Sequence, residues 1–288
     1  MQDTKAPQKP MSLGAALFSH SVLLVACIIV LYPLLYVIRM ALSPTQGFTL
    51  GLDLSSGFSL QNFAYVTGTH DQDGGWLFGR QLWNSLWVSL ASTFVGVILA
   101  VSAAYAFSRF RFPGRKESLM AFLVTQMFPG TMMMIPLYIL LDTLGLLDQS
   151  MGLILVYATT SLPFCVWMLK GYFDTIPKDL EEAALIDGAS RFQIFWRVIL
   201  PLARPAIAVT ALFSFMTSWN EFVLAKTFMT REVLYTLPVV LRGYVGKEDV
   251  QWGFFAAGAI LVSVPVMVLF FALQRQLISG LTTGAVKG

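Results

Sequence analysis

The chain has 288 residues, of which 56% are hydrophobic and 12% charged, and its mean hydropathy is +0.69. Soluble domains carry about 25% charged residues, so this composition excludes a water-exposed globule, and with it a disordered or collagen-like chain. The net charge of +3 argues against a nucleic-acid partner. Cys27 and Cys165 lie far apart in apolar stretches and fit no metal spacing or disulfide framework, so they read as small buried side chains.

A bilayer core needs about 20 apolar residues per helix. Behind a short N-tail (1–16), six stretches meet this: Leu17–Leu42, Trp83–Phe107, Leu119–Leu141, Met151–Tyr172, Ala206–Phe228 and Gly253–Leu277. The first is too long for a signal-peptide core and lacks a small-residue cleavage site, so it reads as a retained span. A C-tail, 278–288, follows the sixth. The expectation is an all-α membrane protein with one six-span domain over 17–277 and outer loops at 43–82 and 229–251.

Charge sets the direction. Thirteen of the nineteen Lys and Arg residues fall on the side holding both termini and the loops after spans two and four, with Arg109, Arg111, Arg115 and Lys116 clustered. That side reads as cytoplasmic. Trp76, Trp83 and Trp87 crowd the outer entry to span two, and Trp219 and Trp252 bracket the outer ends of spans five and six, as in an interfacial belt. Pro129, Pro136, Pro163 and Pro265 each remove a backbone donor and kink a span.

The loop 175–201 is too patterned to be a connector. Pro177 suits a first helical turn, and Asp179, Glu181 and Glu182 place negative charge at the positive end of the helix dipole. Ala183, Ala184 and Leu185 favour helix, and Gly188 ends it. Ser190 and Gln193 form a capping box for a second helix. Phe192, Phe195, Trp196 and Ile199 make its apolar face, and Pro201 stops it.

Glu182-Ala183-Ala184, three residues, Gly188, nine residues, then Val198-Ile199-Leu200-Pro201 resembles the EAA loop of ABC-importer permeases, with Val for the first Ile of the pattern. Trp219-Asn220-Glu221-Phe222, Trp252-Gly253 and the ending Gly280-Leu281-Thr282-Thr283-Gly284-Ala285-Val286-Lys287-Gly288 resemble the carbohydrate-importer branch, within it the smaller G-type half of maltose-type systems. The resemblance implies the type I importer permease fold and a multi-pass protein of the bacterial inner membrane, both termini cytoplasmic. The implied partners are a different second permease, two ATPase subunits, an extracytoplasmic sugar-binding protein and the sugar.

By the same resemblance the EAA loop is a coupling helix. Glu181, Glu182, Ala183, Ala184, Asp187 and Gly188 would meet the ATPase, and Thr282, Thr283 and Lys287 of the tail would reach between its subunits. In the outer loop, Tyr244, Lys247, Glu248 and Asp249 would contact the binding protein or help release sugar. Asn220 and the intramembrane acid Glu221 would line the pathway or the permease interface, a structural hydrogen bond being the other reading of Glu221. The chain has no G-x-x-x-x-G-K-[ST] phosphate loop, so ATP and Mg belong to the partner ATPase, and neither a catalytic residue nor a metal site is expected here. A rhomboid-like intramembrane enzyme would need a Ser–His dyad, and the only histidines, His20 near the inner start of span one and His70 in the outer loop, cannot easily meet a core serine. A stand-alone secondary transporter would show repeats and further intramembrane charge.

Overall fold

A computed structural model describes residues 13–48, 57–246 and 250–285, with side chains to residue 276. It is helical throughout: α1 (Leu13–Ala41), α2 (Gln61–Thr67), α3 (Leu77–Arg109), α4 (Arg115–Met127), α5 (Gly130–Thr143), α6 (Ser150–Thr175), α7 (Asp179–Ile186), α8 (Arg191–Ile194), α9 (Leu200–Leu202), α10 (Arg204–Trp219), α11 (Val223–Phe228), α12 (Leu237–Val245) and α13 (Trp252–Ala285). A π-helical turn, Phe195–Ile199, joins α8 to α9 into one run.

Four helices, α1, α3, α6 and α13, are long and apolar enough to cross a bilayer. Of the other two expected spans, the third is bent, and the fifth is joined at a bend to the loop helix before it. The third breaks by 102° between α4 and α5, and Arg191–Leu202 meets α10 at 76°. Pro129 causes the first break, because it disfavours helical backbone at Phe128, which is extended at φ −74°, ψ 129°. The second lies at Ala203, not at Pro201 as expected. Pro201 sits inside α9, where its missing N–H costs little, and Pro205 in the first turn of α10 cannot extend the helix before it. Pro33, Pro136, Pro163 and Pro265 stay inside unbroken helices. The fifth expected span also ends early. α10 stops at Trp219, and α11 starts afresh at Val223.

The spine is α3 against α6. Lipid gives helices no hydrophobic reason to associate, so close packing of small residues does the work. Gly96 is one such residue: a Cβ there would meet Ser161 Oγ at 3.4 Å and Ala158 Cα at 3.6 Å. Hydroxyls extend the seam to α10, with Ser92 Oγ donating to Ser218 Oγ at 2.9 Å and Ser161 and Ser214 Oγ 3.2 Å apart. One apolar cluster at the C-terminal ends of α3 and α6 holds Ala104, Leu169, Phe173, Ile194 and Ile199. A second, with Val88, Ile154, Tyr157 and Phe228, joins α3 and α6 to α11, and a third, with Val66, Phe215, Trp219 and Ala257, sits under the outer loops.

Two expectations fail here. Trp219 is not in a belt: it is 1% exposed and stacks on Phe215 at 5.4 Å, because α10 ends in the core and not at a headgroup boundary. Cys27 is exposed, since α1 presents almost its whole surface outward, whereas Cys165 is fully buried as expected. Trp76, Trp83 and Trp87 do face outward.

A polar clasp closes the opposite end, before α6. Asp148 holds a left-handed φ of 55° before α6. Its carboxylate accepts the Thr230 N–H at 2.7 Å and the Thr230 hydroxyl at 2.6 Å, and its own N–H donates to the Phe228 carbonyl at 3.0 Å. Burial pushes the carboxyl pKa up, but the Thr230 and Arg231 donors prevail and hold it below its usual value. A lowered folded-state pKa contributes stability above the unfolded value of about 3.9, and that stability is lost as pH falls through the folded value. Asp148→Asn, which tolerates the same backbone, should remove this component. The melting temperature of purified wild-type protein in detergent should fall more steeply below about pH 4 than that of the variant. Parallel curves would contradict the clasp.

Candidate functional site

The loop after α6 folds as a helix–turn–helix. Asp179, Glu181 and Glu182 fill the first turn of α7, whose N-terminus has no side-chain cap, so their charge on the dipole stands in for one. At the other end the Gly188 N–H donates to Leu185 O at 3.0 Å and the Ala189 N–H to Ala184 O at 2.9 Å. This double closure needs left-handed backbone at the residue after the cap, and Gly188 supplies φ 84°. The next helix starts at once from the expected capping box, with Ser190 N–H donating to Gln193 Oε1 at 2.8 Å and Gln193 N–H to Ser190 Oγ at 3.3 Å.

The apolar face of that second helix is rotated from the expected one. Ile194 and Ile199 are buried and Phe195 and Val198 half-buried, while Phe192 and Trp196 are 71% and 55% exposed. The two possible faces share Phe195 and Ile199. The Phe195 ring lies 4.8 Å from that of Tyr105, which turns Ile194 inward and leaves Phe192 and Trp196 as an outward pair.

What fixes α7 to the bundle is one buried ion pair. The Arg109 guanidinium, at the last residue of α3, binds the Glu181 carboxylate, with side chains 5% and 9% exposed. Tyr105 OH donates to Glu181 Oε2 at 3.2 Å, and Arg109 Nη2 donates to the Ile176 carbonyl at 2.9 Å. Arg109 Nη1 also reaches Ser108 Oγ at 3.0 Å, and that hydroxyl donates to Asp174 Oδ1 at 2.6 Å. Lys170 completes the chain with a 2.5 Å contact to Asp174. The ends of α3, α6 and α7 are thus tied at one point.

Of the six residues expected to face a partner, Glu182, Ala183, Asp187 and Gly188 are exposed, Ala184 is half-buried, and Glu181 points into the bundle. Ile186, not singled out from sequence, is 87% exposed beside Glu182 and Asp187. An apolar residue among acids on an outward turn was its only signal. Arg109, Tyr105 and Asp174 were also missed as site residues, because their partners are 66 to 76 positions away.

The other expected residues are scattered. Tyr244 stands in the last turn of α12, half-buried and edge-on to Phe254 at 6.0 Å. Burial, then the nearby Tyr65 and Glu232, pushes its pKa up to about 12. It lines an outer cleft of about 460 Å3 with Tyr65, Gln81, Lys226, Glu232 and Arg242. Lys247, Glu248 and Asp249 lie outside the described residues. Asn220 is exposed and donates to Met216 O at 2.9 Å. Glu221 accepts the Leu224 and Ala225 N–H groups at 2.8 and 2.9 Å and the Tyr157 hydroxyl at 2.6 Å, so it closes the N-terminus of α11 at the break. Thr282 and Thr283 stand on the last turns of α13, not on an extended tail, and Lys287 is outside the described residues. Among the described residues no cluster of His, Cys, Asp or Glu could hold a metal ion.

Residues 92–282 match the family model of the binding-protein-dependent transport system inner membrane component. The maltose/maltodextrin transport system permease protein MalG of Escherichia coli (strain K12) is 36% identical over 97% of this chain and 99% of its own. The trehalose transport system permease protein SugB of Mycobacterium tuberculosis is 36% identical over 90% and 93%. A chain of a bacterial ABC transporter involved in import of the acidic polysaccharide alginate superposes with a TM-score of 0.74 at 26% identity, covering 93% of this chain and 99% of that one.

Removing one partner of a buried ion pair leaves an uncompensated charge and costs about 3–5 kcal/mol. Glu181→Ala and Arg109→Ala should each destabilise the protein by this order in SDS-titrated unfolding, and the double variant by clearly less than the sum. Additive losses would show that the two side chains do not act on each other.

Proposed function

Because the chain belongs to the family of binding-protein-dependent transport system inner membrane components, which are non-catalytic permeases, we propose that it forms half of a sugar pathway driven by a separate ATPase. The named relatives place it as a permease subunit of a carbohydrate ABC importer. They differ in sugar, and a maltodextrin-like or other small oligosaccharide is our finer reading. The complex would contain a second, different permease, two ATPase subunits that bind ATP and Mg, and an extracytoplasmic binding protein. Basic residues concentrate beside α7, so this face and both termini are taken as cytoplasmic.

The observation that carries the reading is the two-sidedness of α7. Its outer face offers Glu182, Ala183, Ile186 and Asp187 to a partner, and its inner face is held by Arg109 to the ends of α3 and α6. A short helix held this way transmits displacement and does not absorb it. When ATP closes the ATPase, α7 moves inward and carries α3 and α6 with it. The bundle then opens outward to accept sugar, and hydrolysis resets it. The outer cleft around Tyr244 faces the docked binding protein in this scheme.

The test is the full complex in liposomes, with binding protein and candidate sugars. Sugar should stimulate ATP hydrolysis and uptake. Gly188→Val, which puts a β-branched residue at a positive φ, should reduce both by at least about tenfold through a misplaced α7, a change of ~1.4 kcal/mol or more in coupling. Uptake without the ATPase chain, or unchanged coupling in Gly188→Val, would reject the proposal.

A further inference from the structure

The tryptophans at the start of α3 head a groove that neither α7 nor the cleft around Tyr244 accounts for. α3 is 33 residues long, roughly 50 Å at 1.5 Å per residue, against a hydrocarbon core of about 30 Å. Its first turns, which carry Arg80, Gln81 and Asn84, stand at headgroup level, at the end opposite α7. Below them Trp83, Trp87, Leu90, Phe94 and Ile98 are all exposed and recur every three or four residues, one apolar stripe down the helix.

The groove measures about 550 Å3, with Trp76, Arg80, Trp83 and Asn84 on one side and Val233 and Leu234 on the other. Both walls are held in place. Trp76 Nε1 donates to the Thr67 carbonyl at 2.6 Å, and its ring lies over Gly79, where a Cβ would run into it. Across the groove, the short turn Glu232–Leu234 is tied to α3. Gln81 Nε2 donates to Glu232 O at 3.1 Å and Asn84 Nδ2 to Val233 O at 2.9 Å. Arg80 is aimed by Asp71, whose Oδ2 meets Nη1 at 2.9 Å and whose Oδ1 accepts the Gly75 and Asp73 N–H groups at 2.6 and 3.1 Å. Asp71 is almost fully covered and does not line the groove, whereas the Arg80 side chain is 56% exposed. A guanidinium has five N–H donors, so the contact with Asp71 leaves donors for an acceptor in the groove.

We infer that this groove is a phospholipid site. Arg80 binds the lipid phosphate, Trp76 and Trp83 flank the glycerol backbone, and the acyl chains lie along Trp87, Leu90 and Phe94. The planar guanidinium matches two phosphate oxygens, and indole rings favour the boundary between headgroup and chain. A free anion would meet Arg80 but leave the stripe beneath it uncovered. A phospholipid satisfies both, because its charge stands directly above its apolar part. Bound there, it pins the head of the spine helix at a fixed depth and backs the turn at Val233 and Leu234. The inference needs α3 to cross a bilayer and nothing from the importer scheme.

The test uses the full-length chain with its partner subunits in phosphatidylcholine liposomes. A trace of phosphatidylcholine carries a diazirine near the carboxyl end of one acyl chain, and a parallel sample holds diacylglycerol with the same diazirine. After illumination, labelling of Trp83–Leu90 is measured by peptide mass spectrometry relative to that of α1, whose apolar surface is exposed without such a groove above it. The phospholipid should label this segment at least about fivefold more than the diacylglycerol does, the preference a charge-assisted phosphate contact gives. Arg80→Ala should abolish the preference. Trp83→Ala, which leaves the pair with Asp71 intact, should reduce it, and millimolar inorganic phosphate should not. Equal labelling by the two probes, an unchanged preference in both variants, or competition by inorganic phosphate would overturn the site. So would the absence of labelling on α3, the result expected if another subunit covers the stripe.

Discussion

The pair between Arg109 and Glu181 organises the end of this permease that carries α7. Buried charges cost energy unless they are paired and hydrogen-bonded, and this pair is given a tyrosine hydroxyl, a serine hydroxyl and a backbone carbonyl as well. A well-packed apolar pair of the same volume would hold α7 at least as stably. What the charged pair adds is register: α7 has one position on the bundle in which both charges are satisfied. The coupling role proposed for α7 needs one position more than it needs strength.

The bilayer imposes the second constraint. With no water to complete the backbone, every break in a span must find internal partners. At α10–α11 the chain supplies the Glu221 carboxylate, which takes two exposed N–H groups and a tyrosine hydroxyl. At α4–α5 the break falls at Pro129, which has no N–H to satisfy. Between the breaks, α3 and α6 pack closely at Gly96, Ala158 and Ser161, and the Ser161 hydroxyl reaches Ser214 of α10. The molecule thus combines a rigid spine with two discontinuities, a division of labour suited to alternating exposure.

Local chemistry was readable from sequence, and long-range pairing was not. The capping box of Ser190 and Gln193, the turn at Gly188 and the acidic first turn of α7 depend on neighbours within four residues, and all formed as the spacing implied. The apolar stretches were also legible, because lipid requires them whatever the tertiary contacts. Which proline breaks its helix was not. Pro129 and Pro136 look alike in sequence, but the chain is extended before Pro129 and runs helical through Pro136. Glu181 was read as outward because acids on a cytoplasmic helix usually are, and its cation lies 72 residues away. Trp219 and the face of the second loop helix went wrong for the same reason: burial is decided by the element opposite.

The central claim is that α7 passes force between a separate ATPase and the ends of α3 and α6. A photoreactive amino acid placed singly at positions 181, 182 and 186 in the assembled importer tests it most directly. The account predicts capture of the ATPase subunit from positions 182 and 186, and from position 181 only products within this chain. Capture from position 181 alone, or from none of the three, would contradict it.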